Sequence, residues 1–553
     1  MKRSMTSVQQ FLSKFPIKLS LYDLLALVTC LCSLLLRIFF LQFSLAINPD
    51  GTYYVWSARH LLEGKGYTVG YGETPAIRAP LYPLFVAFFF LIFGVNHISA
   101  KLVSIVFGSL SIFVLYALVK LTFNNERTAL FSALMLAINP FFLAGTDFFL
   151  GGVYREGLST FIFLLAIFFT IKAKNERGNY TNFILMGLLS GIFYLVRPEG
   201  LYLLIFQVLF FSLLFVDQRH VDLIKKIALT ISVTILAILP WLIRDYLTFG
   251  VFNRESYYHG AFFFLREFGT QIPTMMLSPL DYLLLYHSLT QIAIGLFVGI
   301  YRLWLQLFVG LTPLGFFLFA FGFITTLRRK YIFFHLLLAF YLLSYSWPSY
   351  VWPSIVPRYL TVLVPICLLF AGHGLSELEQ LLAALYQKTI VVFLLKITSK
   401  QFQQLVVLVV LLITTVNSLL VAKDIIIDEQ YEAQIEAFEK TGQWLQLHTT
   451  PDSIVFSNFP TLIERYSDRT ALDLKKIAIQ DVLETSYEQT IYIVVDSTTI
   501  QSDILIEMYL HATQHSVIWY DITIPDNVEC VYILGGGSWH PYDIAVYKKI
   551  ALD

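Results

Sequence analysis

Long, mostly apolar runs recur along this chain, and they decide what it can become. They lie at 21–46, 99–119, 128–146, 152–171, 181–196, 200–216, 227–243, about 303–327, 331–347, 358–372 and 403–422. A helix crossing the hydrocarbon core of a bilayer needs about 20 apolar residues. Backbone groups in lipid must be satisfied within the segment, so such runs read as spanning α-helices. The composition agrees. Of 553 residues, 57% are hydrophobic and 14% charged, against about 45–50% and about 25% in an average soluble protein. A soluble globular enzyme, a disordered chain and a fibrous chain are all excluded. Lys+Arg and Asp+Glu balance at 38 each, so net charge points to no nucleic-acid partner.

The run 81–94 is short and has Pro80 and Pro83 at its start. It reads as an interfacial helix, and the stretch before Leu303 is read the same way. Charge asymmetry supports that reading. With Lys2, Arg3, Lys14 and Lys18 in the cytoplasm, sides alternate at each long run. The inner loops then carry Lys120 and Arg127; Lys172, Lys174 and Arg177; Arg219, Lys225 and Lys226; Arg328, Arg329 and Lys330; and Lys388, Lys396 and Lys400. The expectation is eleven crossings in a multi-pass protein of the plasma (inner) membrane. The run 21–47 is too long for a signal-peptide core and lacks a small-residue cleavage site, so it reads as a retained first span.

The expected division is a cytoplasmic N-terminus (1–20), an α-helical membrane domain (21–422) with an outer loop at 47–80, and an extracytoplasmic α/β domain (423–553). In that last part, SIVFSN, TIYIVVD, SVIWYDI, CVYILG and DIAVYKKI read as strands, and EQYEAQIEAFEKTGQWLQL as a helix. Cys530 stands alone there, while Cys30, Cys32 and Cys367 sit in apolar runs, so no disulfide scaffold is implied. His448, His511, His515 and His540 lack metal-ligand spacing and read as ordinary residues.

Charged residues gather in the connections assigned to the outer side. Asp50 directly follows the first span. Tyr53, Tyr54, Ala58, Leu61 and Leu62 then form a helical apolar stripe, which Gly64 and Gly66 end, and Arg78 follows. Asp50 as a simple helix cap is an equally good reading. Asp147, Arg155 and Glu156 flank the next outer turn, where Arg155 and Glu156 read as a surface ion pair or Glu156 as part of general-base or metal chemistry. Arg197 and Glu199 mark a turn at Pro198, blandly a locally paired charge. Arg244 and Asp245 follow the anchor Trp241, and Arg358 opens a late span. Charges at this depth tend to be paired or functional. Arginine forks suit phosphate oxygens, so the pattern favours a lipid-linked phosphate as substrate.

Several stretches in order resemble the GT-C class of polytopic glycosyltransferases. They are PDGTYYVWSARHLLEGKGY, RAPLYPLF, REGLSTFIFLL, GIFYLVRPEG, PWLIRDYLTFG and VPRYLTVLVP, with KTGQWLQLHTTPDSIVFSNFP and YSDRTALDL behind them. Within that class the chain is most similar to the bacterial branch related to protein O-mannosyltransferases and lipid A aminoarabinose transferases. The resemblance covers about residues 20–480. It implies a sugar donor on a polyprenyl phosphate, an acceptor hydroxyl on a glycan, lipid or protein, and inversion at the anomeric carbon. Asp50 matches the general base, and Glu156 an acidic residue that positions acceptor or metal. Arg358, with Arg78 or Arg244, would neutralise the departing phosphate, and Tyr82, Arg197 and Tyr359 join the donor-binding set. Many relatives carry a second acid right after the first-loop aspartate, where this chain has Gly51. That departure weakens the case for a divalent metal and leaves Asp50, Glu156 or Asp147 as its only candidate ligands. Asp245 stands where relatives often have asparagine.

Three other readings compete. One is a GT-C ligase or polymerase that transfers whole lipid-linked glycans. Another is a lipid or glycan transporter, which predicts inverted repeats and mid-membrane charges. No repeat is visible, and Arg37 alone lies inside a span. The last is a non-catalytic scaffold.

Overall fold

The structure, a computed structural model, describes residues 19–40, 49–69, 74–143, 153–218, 221–268, 278–351, 360–387, 398–426, 429–457, 460–473, 482, 489–496, 528–534 and 544–549. The chain opens with α1 (Leu21–Phe40) and α2 (Pro49–Leu62). A two-stranded ribbon follows, β1 (Thr68–Val69) against β2 (Thr74–Pro75). Then come α3 (Leu81–Phe93), α4 (His97–Phe123), α5 (Glu126–Ala137), α6 (Pro140–Leu143), α7 (Glu156–Asn175), α8 (Tyr180–Tyr194), α9 (Gly200–Gln218) and α10 (Val221–Phe249). The helical part continues through α11 (Arg254–Phe268), α12 (Pro279–Tyr286), α13 (Leu289–Leu311), α14 (Pro313–Thr325), α15 (Ile332–Val351), α16 (Val364–Gln387) and α17 (Ser399–Ile426). Among the described residues, seven helices are long and apolar enough to cross a membrane: α1, α4, α7, α10, α13, α15 and α17. α3, α8, α9 and α14 are shorter apolar helices.

Asparagines start several of these helices. Asn96, Asn125 and Asn179 each accept a backbone N–H of the first turn, satisfying donors that a helix start leaves open. One large core of Leu, Ile, Val, Phe and Ala unites α1 through α10 with α13 to α16. Ala26, Val103, Phe163, Leu338 and Leu369 are examples of its fully buried members.

α3 is 13 residues long, about 20 Å, shorter than a bilayer core of about 30 Å. It starts where Leu81 donates its N–H to Leu195 O and ends just before α4 begins. A helix of that length is in keeping with the short apolar run.

Three spans differ from expectation. The stretch before Leu303 is not a separate short piece but part of a helix long and apolar enough to cross a membrane. A capping box between Ser288 and Gln291 starts the 23-residue helix α13 there. The run 303–327 is not one span either. Thr312 adopts φ 63° and closes α13 by donating to Val309 O, and Pro313 begins α14. Proline lacks the N–H that would continue the ladder. Hydropathy averages across that junction, because residues on both sides are apolar. α16 runs from Val364 to Gln387, fifteen residues past the end of the apolar run at 372, with Ser376 and Glu379 buried on its packed face. The run 128–146 is likewise interrupted, at Asn139 and Pro140 between α5 and α6.

Beyond α17 the composition shifts to a small α/β unit. It holds α18 (Glu429–His448), β3 (Ile454–Ser457), α19 (Pro460–Ser467), β4 (Thr470–Asp473), β5 (Ile491–Asp496), β6 (Val528–Leu534) and β7 (Ile544–Lys549). The sheet order is β4-β3-β5-β7-β6. β3 pairs in parallel with β4 and β5, and β7 is antiparallel to β5 and β6. Phe438, Leu445, Val455, Ile463, Val494 and Val546 form its core. β4 is not expected from the sequence, and SVIWYDI lies outside the described residues. α19 packs on α2, so this unit meets the membrane domain at the first loop.

Candidate functional site

α2 carries the first half of the site. Asp50 is its second residue, one turn before Tyr53 and Tyr54. The helix ends at Leu62, and Gly64 and Gly66 take φ 75° and 78°, a region open to glycine. The returning chain docks on α2 through Tyr53, whose hydroxyl accepts the N–H of Ile77 (2.5 Å) and of Arg78 (3.2 Å). Tyr67 donates to Arg78 O at 2.9 Å. The Arg78 guanidinium then lies over the rings of Tyr53 and Tyr54, 5.0 and 5.3 Å from their centroids. Its Nη1 donates to Tyr54 Oη at 3.1 Å. Tyr54 meets Tyr82 edge-on, and the Tyr82 hydroxyl is 3.3 Å from Ser104 Oγ on α4. Arg244, near the end of α10, holds the same segment from outside. It donates to Ala76 O (2.6 Å), Tyr67 O (3.3 Å) and Asp245 Oδ1 (2.9 Å).

A buried charge lattice supports this cradle. Arg155, Glu156, Arg197, Glu199, Asp245 and Glu255 are all buried. Arg155 Nη1 donates to Glu255 Oε1 at 2.8 Å and to Val196 O at 3.0 Å. Glu255 Oε2 accepts the N–H of Ala79 at 3.0 Å, which ties the lattice to the residue after Arg78. Arg197 forks onto Glu199 (2.6 and 3.1 Å) and reaches Glu156 Oε1 at 3.3 Å. The expected surface pair of Arg155 with Glu156 is therefore replaced. Both are buried, and each pairs with a residue from another segment, because the α7 start is packed against α4, the 195–199 turn and α11. The Arg197–Glu199 pairing at Pro198 matches the bland reading.

Gly157 makes that packing possible. A Cβ there would strike the Ser104 backbone of α4, so only glycine lets α7 start this close. Ser104 Oγ then donates to Tyr154 O.

Electrostatics follow from these contacts. Burial alone would raise the Glu255 carboxyl, but Arg155, His259 and Arg78 outweigh it and hold it at about 2. Glu199 is likewise pulled down, as the charge of Arg197 overcomes its burial. Burial pushes the Tyr53 hydroxyl up to about 12, with the nearby Arg78 opposing it, so Tyr53 stays a neutral phenol.

Among the described residues, no three His, Cys, Asp or Glu side chains gather as a metal site. Asp147, Arg358, Tyr359 and the Asp50 side chain lie outside the described residues. Sequence reasoning misses Glu255, which binds Arg155 across 100 residues of chain. A lone glutamate in a polar loop carries no signal of that partner. Tyr53, by its spacing part of an interfacial stripe, is the bracket for the Arg78 loop.

The other end of the bundle is basic. Lys120 pairs with Asp23 and Glu126, Arg127 with Glu379, Lys174 donates to Lys330 O, and Lys226 to Arg177 O. Glu156 and Lys174 stand at opposite ends of α7, about 27 Å apart along its axis. The lattice and the lysines therefore occupy opposite ends.

Comparison with known proteins gives a consistent picture. Residues 77–243 match the dolichyl-phosphate-mannose-protein mannosyltransferase family. No curated protein matches the chain in sequence. Among solved structures, ArnT from Cupriavidus metallidurans bound to undecaprenyl phosphate superposes with a TM-score of 0.58 at 12% identity, covering 95% of this chain and 98% of that one. Its apo state gives 0.55 at 13%, covering 94% and 97%. An oligosaccharyltransferase from Archaeoglobus fulgidus, in complex with Zn and sulfate, gives 0.55 at 14%, covering 86% and 68%. The chain is thus a multi-pass membrane protein with the GT-C fold, and its residues 77–243 carry the sequence signature of the dolichyl-phosphate-mannose-protein mannosyltransferase family.

Proposed function

We propose that this protein is a glycosyltransferase that moves a sugar from a polyprenyl phosphate to an acceptor hydroxyl at the outer face of the membrane. The observation that carries the reading is the Arg78 cradle. A half-buried guanidinium is held by two tyrosines of the helix whose second residue is Asp50, at the end of the bundle away from the lysines. The likeness to ArnT bound to undecaprenyl phosphate supports the donor class.

In this reading Asp50 takes the proton of the acceptor hydroxyl as its oxygen attacks the anomeric carbon. General bases of this kind contribute about 10²–10⁴-fold. The bond from that carbon to the phosphate oxygen breaks on the opposite face, inverting configuration. The electron pair leaves on the phosphate, where Arg78 neutralises the growing charge, together with Arg358. Tyr82 holds Tyr54, and so Arg78, from behind. The donors of Arg244 are engaged with Ala76, Tyr67 and Asp245, which makes it a positioning residue for the Arg78 segment. Arg197 and Glu156 are positioning residues of the lattice. Orientation follows from the lysine-bearing end facing the cytoplasm.

The test is to incubate purified protein with a panel of polyprenyl-phosphate sugars and lipid-diphosphate glycans and to follow donor consumption. A polyprenyl-phosphate sugar is expected to be consumed. Asp50→Asn should lower turnover by roughly 10²–10⁴-fold while the protein stays folded and inserted. Full activity in that variant removes Asp50 from the mechanism. Consumption of lipid-diphosphate glycans alone moves the reading to a glycan ligase.

A further inference from the structure

The backbone around Arg78 is gripped on both sides by a short stretch of chain, the end of α10 and the start of α11. Arg244 Nη1 donates to Ala76 O at 2.6 Å, two residues before Arg78. Glu255 Oε2 accepts the N–H of Ala79 at 3.0 Å, one residue after it. Between these grips, Tyr53 Oη accepts the N–H of Ile77 and of Arg78, and Tyr67 donates to Arg78 O.

One buried carboxylate joins the two grips. Asp245 is fully buried, and both of its oxygens are engaged. Oδ1 accepts Arg244 Nη1 at 2.9 Å, and Oδ2 accepts the N–H of Arg254, the first residue of α11, at 3.0 Å. The chain reverses in between. Gly250 takes φ 73° and Asn253 φ 67°, and Tyr246 stacks on Phe252 with centroids 4.7 Å apart. That reversal returns the start of α11 to the carboxylate. The contacts close a ring, from Ala76 through Arg244, Asp245, Arg254 and Glu255 to Ala79, and Arg78 lies on the segment that completes it.

The two arms depend on Asp245 in different ways. The Arg244 guanidinium packs over the rings of Tyr67, Trp241 and Phe249. Ring faces attract the charge without fixing which way its N–H groups point. A hydrogen bond to a carboxylate does fix that, and it is of the strong kind. Glu255 takes its place from the first turn of α11, whose leading N–H is held by Asp245. The carboxylate therefore sets the direction of one arm and the position of the other. A misplacement of about 1 Å at a reacting group can cost about 100-fold in rate, so a small slip of residues 76–79 matters.

We propose that Asp245 is a positioning residue: through Arg244 on one side and the start of α11 on the other, it fixes the backbone of residues 76–79 and so where the Arg78 guanidinium stands. It acts through that backbone rather than on the substrate. Its effect on turnover rests on the glycosyltransferase reading, whereas its effect on the 76–79 backbone does not.

The test pairs a readout that needs no activity with a kinetic one. Hydrogen–deuterium exchange by mass spectrometry on the purified full chain follows the amides of Ile77, Arg78 and Ala79. Asp245→Ala removes both acceptors and should speed their exchange roughly tenfold or more, with the amides of α18 unchanged. Asp245→Asn keeps one acceptor and should give a smaller rise, and it carries the test if the alanine variant does not fold. Arg244→Gln leaves the carboxylate in place and should open the same amides. With a polyprenyl-phosphate sugar as donor, Asp245→Asn should lower kcat per folded protein by roughly tenfold. In an Arg78→Gln background it should lower kcat no further, because the group it positions is gone. A residue that only stabilises the fold would give the same factor in both backgrounds. Unchanged exchange at 77–79 in both Asp245 variants overturns the proposal. So do equal kcat losses with and without Arg78. A native chain that consumes no polyprenyl-phosphate sugar, while exchange at 77–79 still responds to Asp245, leaves the clamp standing and removes the glycosyltransferase reading.

Discussion

Arg155 and Glu255 show how single residues hold the site. Removing one partner of a buried ion pair leaves the other charged and alone, at about 3–5 kcal/mol. Arg155→Met and Glu255→Gln are each expected to destabilise the protein by about that much. The double variant should recover most of the loss, as read by thermal unfolding in detergent. Additive losses would mean that the 2.8 Å contact contributes nothing specific. The pH dependence has a definite sign. The folded Glu255 carboxyl titrates at about 2, against 4.5 when free. Its contribution is complete above about pH 4.5 and is lost as pH falls from there toward 2. Unfolding followed across that window should show stability falling in the native chain, with a shallower fall in Glu255→Gln.

Among the elements, small residues decide how helices approach. Gly322 on α14 and Gly374 on α16 face each other, and a Cβ on Gly322 would strike the Phe370 backbone carbonyl. Backbone cannot swing aside as a side chain can. Gly322→Ala is expected to cost about 1–3 kcal/mol, visible as a lowered melting temperature. Gly315→Ala, on the same helix, would place its Cβ 3.5 Å from Thr312 Oγ1 and should change little. The break at Thr312 and Pro313 is a property of elements too. Pro313 is visible in the sequence, yet apolar residues on both sides hide the turn.

Across the bundle as a whole, opposite ends differ in charge, and the α/β unit rests on α2 through α19. The orientation proposed above predicts the labelling of single cysteines in intact cells, in a background without the native four. Lys440→Cys, on α18, should react with a membrane-impermeant maleimide from outside. Arg328→Cys should react only after permeabilisation. The reverse pattern would invert the orientation and detach the site from an outward-facing reaction.

Much of this fold is legible in the order of residues. Apolar run length reports a requirement of the bilayer on each segment separately, so the membrane class, most helices and four of the five strand-like runs can be read locally. Gly64, Gly66 and Asn96 act within a few residues of themselves, so local geometry accounts for each. The pairing of charges is not local. Arg155 neighbours Glu156 in the chain but binds Glu255, and Arg78 is shaped by Tyr53 and Tyr54 from a preceding helix. Chain order alone settles that these charges sit at helix ends among apolar spans, since lipid imposes that on every span separately. Which charge meets which is settled by packing, because ion pairing depends on distances between segments that are remote in the chain.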